Sequence, residues 1–374
     1  MLEFFPPCIG LDISEGALKA AALKPEGRLG FSWAGFGRAV LKEGSVRDGL
    51  IKDEDDLSRA LLAVLDNREH PFLKTKHLVV SLPEDKVFLR IVDLPALKKG
   101  ELEEAVKLEV EANIPLSLSE VYYDYEIVNG GGSVMVNAAP KAVVDSYTGF
   151  FERQGYRLLA LEIDVVASAR ALLGRPQGLR QDSAALVLDI GDVKTRFVMA
   201  HGGTVRFTSS GDVAGNAFTS ALASRLGVDA KEAELMKKLV GINRNHERGQ
   251  EFLEIFSPLL TQLKDQIQHH VSFFETHTAV DKAAASGRRV SRIILAGGGA
   301  NLAGLSDWLS QQLGLVVMPA NPLKSWNISG RGAESTMSWE ESLSYATAIG
   351  SALRSQDISV WRTSASKAAV LNAV

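Results

Sequence analysis

One pattern occurs twice in this chain, and it constrains the fold more than any other feature. Ile9-Gly10-Leu11-Asp12-Ile13 leads through a polar turn into Ala17-Leu18-Lys19-Ala20-Ala21-Ala22-Leu23. Far downstream, Leu186-Val187-Leu188-Asp189-Ile190 leads through Gly191-Asp192 into Thr195-Arg196-Phe197-Val198-Met199. Both read as strand, tight turn, strand. Each then meets a Gly-containing turn, at Gly27 and at Gly202-Gly203, and a third apolar strand, Leu29 to Trp33 and Thr204 to Thr208. The alternative is two unrelated hairpins that share Asp-Ile by chance. The duplication reading makes these the openings of the two halves of a duplicated α/β fold.

The segments between them fit that reading. Leu57, Ala60, Leu61, Val64 and Leu65 fall at helical spacing behind a run of acids. Strands are expected at His77 to Leu82 and Val87 to Val92. An amphipathic helix follows from Lys98 to Ala112, with Leu102, Ala105, Val106 and Val110 on one face. Glu101, Glu103 and Glu104 crowd its start, where the helix dipole favours acids, and Asn113-Ile114-Pro115 ends it. Strands Val121 to Val128 and Ser133 to Ala139, a helix Lys141 to Gln154 and a strand Leu158 to Ile163 complete the first half. Residues 78–155 thus read as a β-β-α-β-β-α insert in a half made of 1–77 and 156–182. The second half is expected over 183–354. Its helices are Ala214 to Arg225, Ala230 to Val240, Phe252 to Thr278, Leu302 to Leu313 and Ser342 to Arg354, with a strand at Val290 to Leu295. The tail, 355–374, is expected to be flexible.

Composition excludes several classes. The chain has 374 residues, 46% hydrophobic and 23% charged, enough for two or more cores. Its net charge of −4 leaves no basic surplus, so no nucleic-acid partner is expected. Cys8 is the one cysteine, which precludes an internal disulfide and suits a reducing cytosol. Cys8 reads as a small buried hydrophobe. Met1 to Gly10 lacks the layout of a secretory signal, and no apolar run reaches the roughly 18–20 residues that span a bilayer. A cytoplasmic protein is expected, with any membrane contact made through a partner.

The chemistry is narrowed first by what is missing. There is no G-x-x-x-x-G-K-[ST] loop, no G-x-G-x-x-G fingerprint, no zinc spacing and no G-x-S-x-G elbow. His269, His270 and His277 read as ordinary residues of one long helix. What remains is a set of loops. A tight turn between strands points successive backbone N–H groups into a concavity that suits phosphate. An Asp just before it, Asp12 or Asp189, can hold Mg2+ through water, although an Asp there also commonly forms the turn. Gly297-Gly298-Gly299 after a buried strand permits close approach of a flat ligand. Gly215-Asn216 opens a helix whose free N–H groups can meet phosphate. Glu234 and Lys237 share a helix face, either as a solvated ion pair or as a clamp on ribose and base.

The order of two Asp-bearing turns, Gly215-Asn216, Glu234-x-x-Lys237 and Ala296-Gly297-Gly298-Gly299-Ala300 resembles the actin, Hsp70 and sugar-kinase superfamily. The insert resembles that of the PilM family of type IV pilus assembly proteins, related to FtsA. The matching segments are Leu94-Pro95, Glu101 to Ala105, Asn113-Ile114-Pro115-Leu116, Glu120 to Tyr125 and Ala138-Ala139-Pro140-Lys141. This resemblance implies a duplicated actin-like (ribonuclease H-like) fold with ATP or ADP and Mg2+ in the cleft between the halves. The implied nucleotide contacts are Asp12, Ser14, Gly16, Lys19, Asp189, Gly191, Lys194, Thr195, Gly215, Asn216, Glu234, Lys237, Gly297, Gly298 and Gly299, with Asp12 and Asp189 on the metal. It also implies a PilN-like membrane protein as partner, whose N-terminal cytoplasmic peptide docks between the first half and the insert around the 98–112 helix. Other pilus assembly proteins and self-association follow from the same resemblance. Two residues depart from the family's pattern, since Glu15 and Asp192 put acids beside the phosphate turns. No residue is assigned to position an attacking water, so at most slow ATP hydrolysis is expected. A nucleotide-free interaction module, an FtsA-like filament protein and a small-molecule kinase are the rival readings.

Overall fold

The structure is a computed structural model, and it describes residues 7–26, 30–66, 74–93, 99–128, 133–174, 184–202, 204–277, 289–329 and 337–354. The expected turn residues Gly27 and Gly203, Leu29, Leu94-Pro95, Thr278 and the 355–374 tail lie outside these. In chain order the elements begin with β1 (Ile9–Ile13), β2 (Ala17–Glu26), β3 (Gly30–Val40), the short pair β4 (Val46–Arg47) and β5 (Leu50–Ile51), and α1 (Glu54–Leu65). They continue through β6 (His77–Leu82), β7 (Phe88–Asp93), α2 (Lys99–Asn113), β8 (Val121–Val128), β9 (Ser133–Pro140), α3 (Lys141–Arg153), β10 (Arg157–Ile163) and α4 (Asp164–Leu173). Then come β11 (Ala184–Ile190), β12 (Thr195–His201), β13 (Thr204–Gly211), α5 (Gly215–Leu226), α6 (Ala230–Val240) and α7 (Gly249–His277). The last are β14 (Val290–Ala296), α8 (Leu305–Leu313), β15 (Val316–Pro319), α9 (Pro322–Ser325), β16 (Ile328–Ser329), α10 (Trp339–Leu343) and α11 (Ala346–Arg354). The chain divides into two compact units, Met1–Ala171 with Pro322–Val374, and Leu172–Asn321.

The first unit is built on a six-stranded sheet in the order β10-β6-β1-β2-β3-β16. β1, β2 and β3 form an antiparallel meander, while β6 and β10 run parallel to β1. The second unit repeats this plan as β13-β12-β11-β14-β15, with β14 and β15 parallel to β11. The duplication read from two Asp-bearing strands is therefore one of whole sheets. The parallel strands are covered on both faces, which is why β1, β6, β11 and β14 read as near-continuous apolar runs. Leu11, Leu18, Leu57, Leu61, Tyr147 and Phe150 centre the first core. In the second, Phe252, Phe256, Leu260, Leu263 and Ile267 of α7 form a helical stripe against β11 and β12. Asp53 caps α1 by accepting from the N–H of Asp56 at 2.9 Å.

Two expected boundaries are corrected. The insert was expected from residue 78 to 155, but β6 lies between β1 and β10 in the main sheet. Likewise α3 buries Val143, Val144, Tyr147, Phe150 and Phe151 in the main core. The inserted elements are β7, α2, β8 and β9, a three-stranded antiparallel sheet in the order β7-β9-β8. Its own core joins Leu102, Val106 and Val110 of α2 to Val121, Val134 and Val136. A pattern of alternating strands and helices does not say which sheet a strand joins, and β6 is apolar enough for either.

The second correction concerns the end of the second half, expected to reach residue 354. Residues from Pro322 onward belong to the first unit. β16 pairs with β3, and α11 lies on β1 with backbone touching backbone. A Cβ on Gly10 would stand 2.2 Å from the Ala348 carbonyl oxygen, and one on Gly350 would stand 1.8 Å from that of Ala167. Glycine at both positions is what lets the final helix sit so close.

Candidate functional site

The first-unit turn is tight and its tip is exposed. Ser14 closes it by donating to the Ala17 carbonyl from both its N–H at 2.9 Å and its Oγ at 3.1 Å. Asp12 stands opposite Lys19 in the strand register, with Lys19 Nζ 3.6 Å from its carboxylate. Ser81 Oγ on β6 donates to Asp12 Oδ1 at 3.5 Å. Gly16 is exposed, and a Cβ there would meet nothing within 4 Å.

Ser81 is also level with Glu162 on β10, so a polar row crosses the parallel strands at their carboxyl ends. Glu162 accepts from Arg170 Nη2 at 2.8 Å and Nη1 at 3.0 Å, and from Arg354 Nη1 at 2.8 Å. Burial pushes its carboxyl up, but the two guanidiniums more than reverse this and hold it below the ordinary carboxylate range. Sequence reading missed this triad. An isolated Glu in a buried strand was the available signal, and its partners come from α4 and from the far end of α11.

The second-unit loops converge on one another. The N–H of Gly191 closes the β11–β12 turn on the Lys194 carbonyl at 3.0 Å. The carbonyls of Gly191 and Asp192 accept from the N–H groups of Gly215 and Asn216, both at 2.8 Å. The first amides of α5 are therefore bonded to the turn, contrary to the expectation that they stand free for phosphate. The N–H groups of Asp192, Val193 and Lys194 make no hydrogen bond among the described residues. Asp192 and Lys194 have exposed side chains. Thr195 is fully buried, and its hydroxyl donates to the Val213 carbonyl at 2.6 Å, so its side chain braces the turn from behind.

The triple glycine packs on the end of β11. A Cβ on Gly297 (φ +77°) would stand 2.4 Å from Asp189 Oδ1, and one on Gly299 would stand 2.3 Å from the Ile190 side chain. Gly298 differs, because a Cβ there meets nothing within 4 Å. Arg196 Nη1 lies 3.8 Å from Asp189 Oδ2.

Glu234 and Lys237 are joined to this cluster by Thr219, which sequence reading did not single out. Lys237 is buried, and its ammonium reaches the Gly215 carbonyl at 3.0 Å, Thr219 Oγ1 at 2.9 Å and Glu234 at 2.6 Å. Three partners match its three N–H donors. Thr219 Oγ1 donates to Glu234 at 2.5 Å. Burial raises the Glu234 carboxyl, and the hydrogen bonds from Lys237 and Thr219 outweigh it, leaving the group below its ordinary range. Lys237 is thus a bracket between α6 and the start of α5. Glu234 keeps part of its surface exposed.

The residues present fit a phosphate group at the 191–194 turn, where three open amides, the exposed Lys194 and the open face at Gly298 are available. Asp12 and Asp189 each place one carboxylate near the end of a strand, and the turns that follow carry the exposed Glu15 and Asp192. Among the described residues, no group of three or more His, Cys, Asp or Glu side chains is placed to hold a metal ion.

A family model described as type IV pilus assembly protein PilM matches residues 10–356. Among solved structures, the chain is similar to a PilM–PilN type IV pilus biogenesis complex at 23% identity and TM-score 0.71, over 94% of this chain and 98% of that one. It is similar to the ethanolamine utilization protein EutJ from Carboxydothermus hydrogenoformans at 16% identity and TM-score 0.51, over 94% and 92% of the two chains. It is also similar to MreB5 of Spiroplasma citri bound to AMPPNP, at 13% identity and TM-score 0.51, over 96% and 97%. These likenesses are of fold, and they agree with the doubled sheet in making it actin-like. With its doubled sheet, its inserted β7-α2-β8-β9 and a family match over nearly its whole length, this chain belongs to the PilM family of type IV pilus assembly proteins.

Proposed function

We propose that this protein is a cytoplasmic scaffold of a type IV pilus or a related secretion or competence machine. In this reading it binds ATP or ADP with Mg2+ and docks the N-terminal cytoplasmic peptide of a PilN-like inner-membrane protein against its inserted sheet. The family match over residues 10–356 carries the reading. No helix among the described residues is long and apolar enough to cross a membrane, and the reading has the PilN-like partner supply the membrane contact. For the nucleotide, the support is the open turn at 191–194. Its amides and Lys194 would hold phosphate, Gly298 would lie under the flat part of the ligand, and Asp189 would face the hydrated metal. Bound Mg2+ would neutralise phosphate charge there.

A melting experiment tests the nucleotide. Ligand at 100 times its Kd stabilises by about 2.7 kcal/mol, so millimolar MgATP or MgADP is expected to raise the melting temperature measurably. Gly298→Val is expected to abolish that shift while leaving the ligand-free melt unchanged, because the added side chain meets open space. A melt that neither nucleotide moves would refute nucleotide binding. It would favour a nucleotide-free interaction module, the reading that the engaged amides of Gly215 and Asn216 and the saturated Lys237 already support.

A further inference from the structure

The inserted sheet holds two hydrogen-bond acceptors side by side with no cation between them. β8 and β9 are antiparallel, and Asp124 stands directly opposite Asn137, a placement that brings side chains on one face within about 5 Å at Cβ. That face is the one turned away from α2. Val121, Tyr123 and Tyr125 of β8, and Val134 and Val136 of β9, pack with Val106 and Val110 of α2. The alternate residues, Asp124 and Asn137 among them, face the other way. Tyr122 and Ala139, on the same side, pack against the main core of the first unit. β8 is an outer strand of its sheet among the described residues, and Asp124 on it keeps part of its surface exposed.

Asn137 Oδ1 is buried and accepts no hydrogen bond among the described residues. Asp124 Oδ1 accepts the N–H of Tyr125 at 2.8 Å, and among the described residues no basic side chain pairs with the carboxylate. Burial pushes its carboxyl up to about 6, opposed by the Tyr125 N–H and by the charge of Arg354, while Glu126 adds to the rise. Arg354 does not answer Asp124 directly, since its guanidinium is bonded to Glu162 at 2.8 Å. A partly buried carboxylate that no basic side chain among the described residues bonds, next to an acceptor without a donor, is unfavourable when empty. Both deficits are relieved by one group that is cationic and carries several N–H donors.

We propose that Asp124 and Asn137 form a seat for one lysine or arginine side chain of an extended partner segment lying on this face. The inference rests on the peptide-docking reading above and specifies what the insert reads in that peptide. A cytoplasmic segment adjoining a membrane span is the kind of partner rich in such side chains.

Fluorescence anisotropy tests it, with the full chain and a labelled synthetic peptide of the N-terminal cytoplasmic segment of the PilN-like protein from the same organism. Asp124→Asn is expected to weaken binding about tenfold or more at pH 7.5, and Asn137→Leu several-fold. Wild-type affinity is expected to rise from pH 5 to pH 7.5, as Asp124 ionises, and Asp124→Asn to lose that rise. A peptide whose lysines and arginines are replaced by norleucine and citrulline is expected to bind the wild type as weakly as the native peptide binds Asp124→Asn. It should lose nothing further against that variant. Native peptide binding Asp124→Asn within twofold of the wild type, or with an unchanged pH profile, overturns the seat and leaves peptide docking standing. No binding to the wild type at any pH overturns both. Thermal melts control for folding, because removing an unpaired buried charge should not lower stability.

Discussion

Glu162→Gln is expected to destabilise the first unit by about 3–5 kcal/mol, the usual consequence of removing one partner from a buried ion group. Glu162 is 2% exposed and is the shared acceptor for Arg170 and Arg354. Glutamine keeps the shape and one acceptor oxygen, but it removes the negative charge that the two guanidiniums share. Domains of this kind hold about 5–15 kcal/mol in total, so the variant should unfold at a clearly lower urea concentration with an unchanged slope. Trp326 reports locally, since its Nε1–H donates to the carbonyls of Arg170 and Ala171, both at 3.1 Å. The pH dependence has a definite sign. The folded carboxyl lies below its unfolded value of 4.5, so its contribution is present above about pH 4.5 and is lost as pH falls further. Urea unfolding followed by Trp fluorescence should therefore show wild type and variant well separated at pH 7.5 and converging on acidification. A difference under about 1 kcal/mol at pH 7.5, or one that persists unchanged into acid, refutes the reasoning. In the double variant with Arg354→Met the losses should fall short of additive by about 1–3 kcal/mol.

Gly10→Ala should cost about 3 kcal/mol or more, because its Cβ would stand 2.2 Å from the Ala348 carbonyl oxygen and 2.3 Å from the Ala352 nitrogen; a thermal melt measures this. Lys237→Met should cost about 2 kcal/mol in urea unfolding, below the fully buried range because Glu234 keeps a third of its side-chain surface. Asp124, pushed up to about 6 from 3.8, should make wild-type stability fall as pH rises from about 4 to 6, by up to about 2 kcal/mol. Asp124→Asn should remove that decline in a pH series of melts.

The doubled fold was legible because β1 and β11 are buried strands that keep an apolar run broken only by a penultimate Asp. The insert was legible through α2, whose Leu102, Val106 and Val110 repeat at helical spacing. The assignment of β6 and α11 was not legible. Both depend on contacts between segments far apart in sequence, and the glycines that permit α11 to approach, Gly10 and Gly350, read locally as weak points in a strand and a helix. The Glu234–Lys237 pair shows the same limit at the site. Spacing offered an exposed ion pair or a ligand clamp, whereas Thr219 and the Gly215 carbonyl turn Lys237 inward. One helical spacing serves all three, and only the neighbouring helix decides among them.

The polar row across the first sheet gives a physical reason for the return of the chain after Pro322. A glutamate at position 162 in a parallel strand covered on both faces is tolerable only with counter-ions. α4 follows β10 directly and brings Arg170; the second, Arg354, is the last described residue of α11. The same helix covers Gly10, two residues before Asp12, and Arg170 also donates to the Gly350 carbonyl at 2.7 Å. α11 is therefore fixed at three points, by backbone contact at Gly10, by the Arg170 hydrogen bond at Gly350 and by charge at Glu162, and Ser81 stands between Asp12 and Glu162 in the row. A strand end that carries Asp12 into a turn needs a rigid support beneath it, and α11 supplies one by packing on β1, β2 and β6. Loosening Glu162 should then be felt at Asp12 through α11 and Ser81, and at Asp124 of the inserted sheet, on which the charge of Arg354 acts.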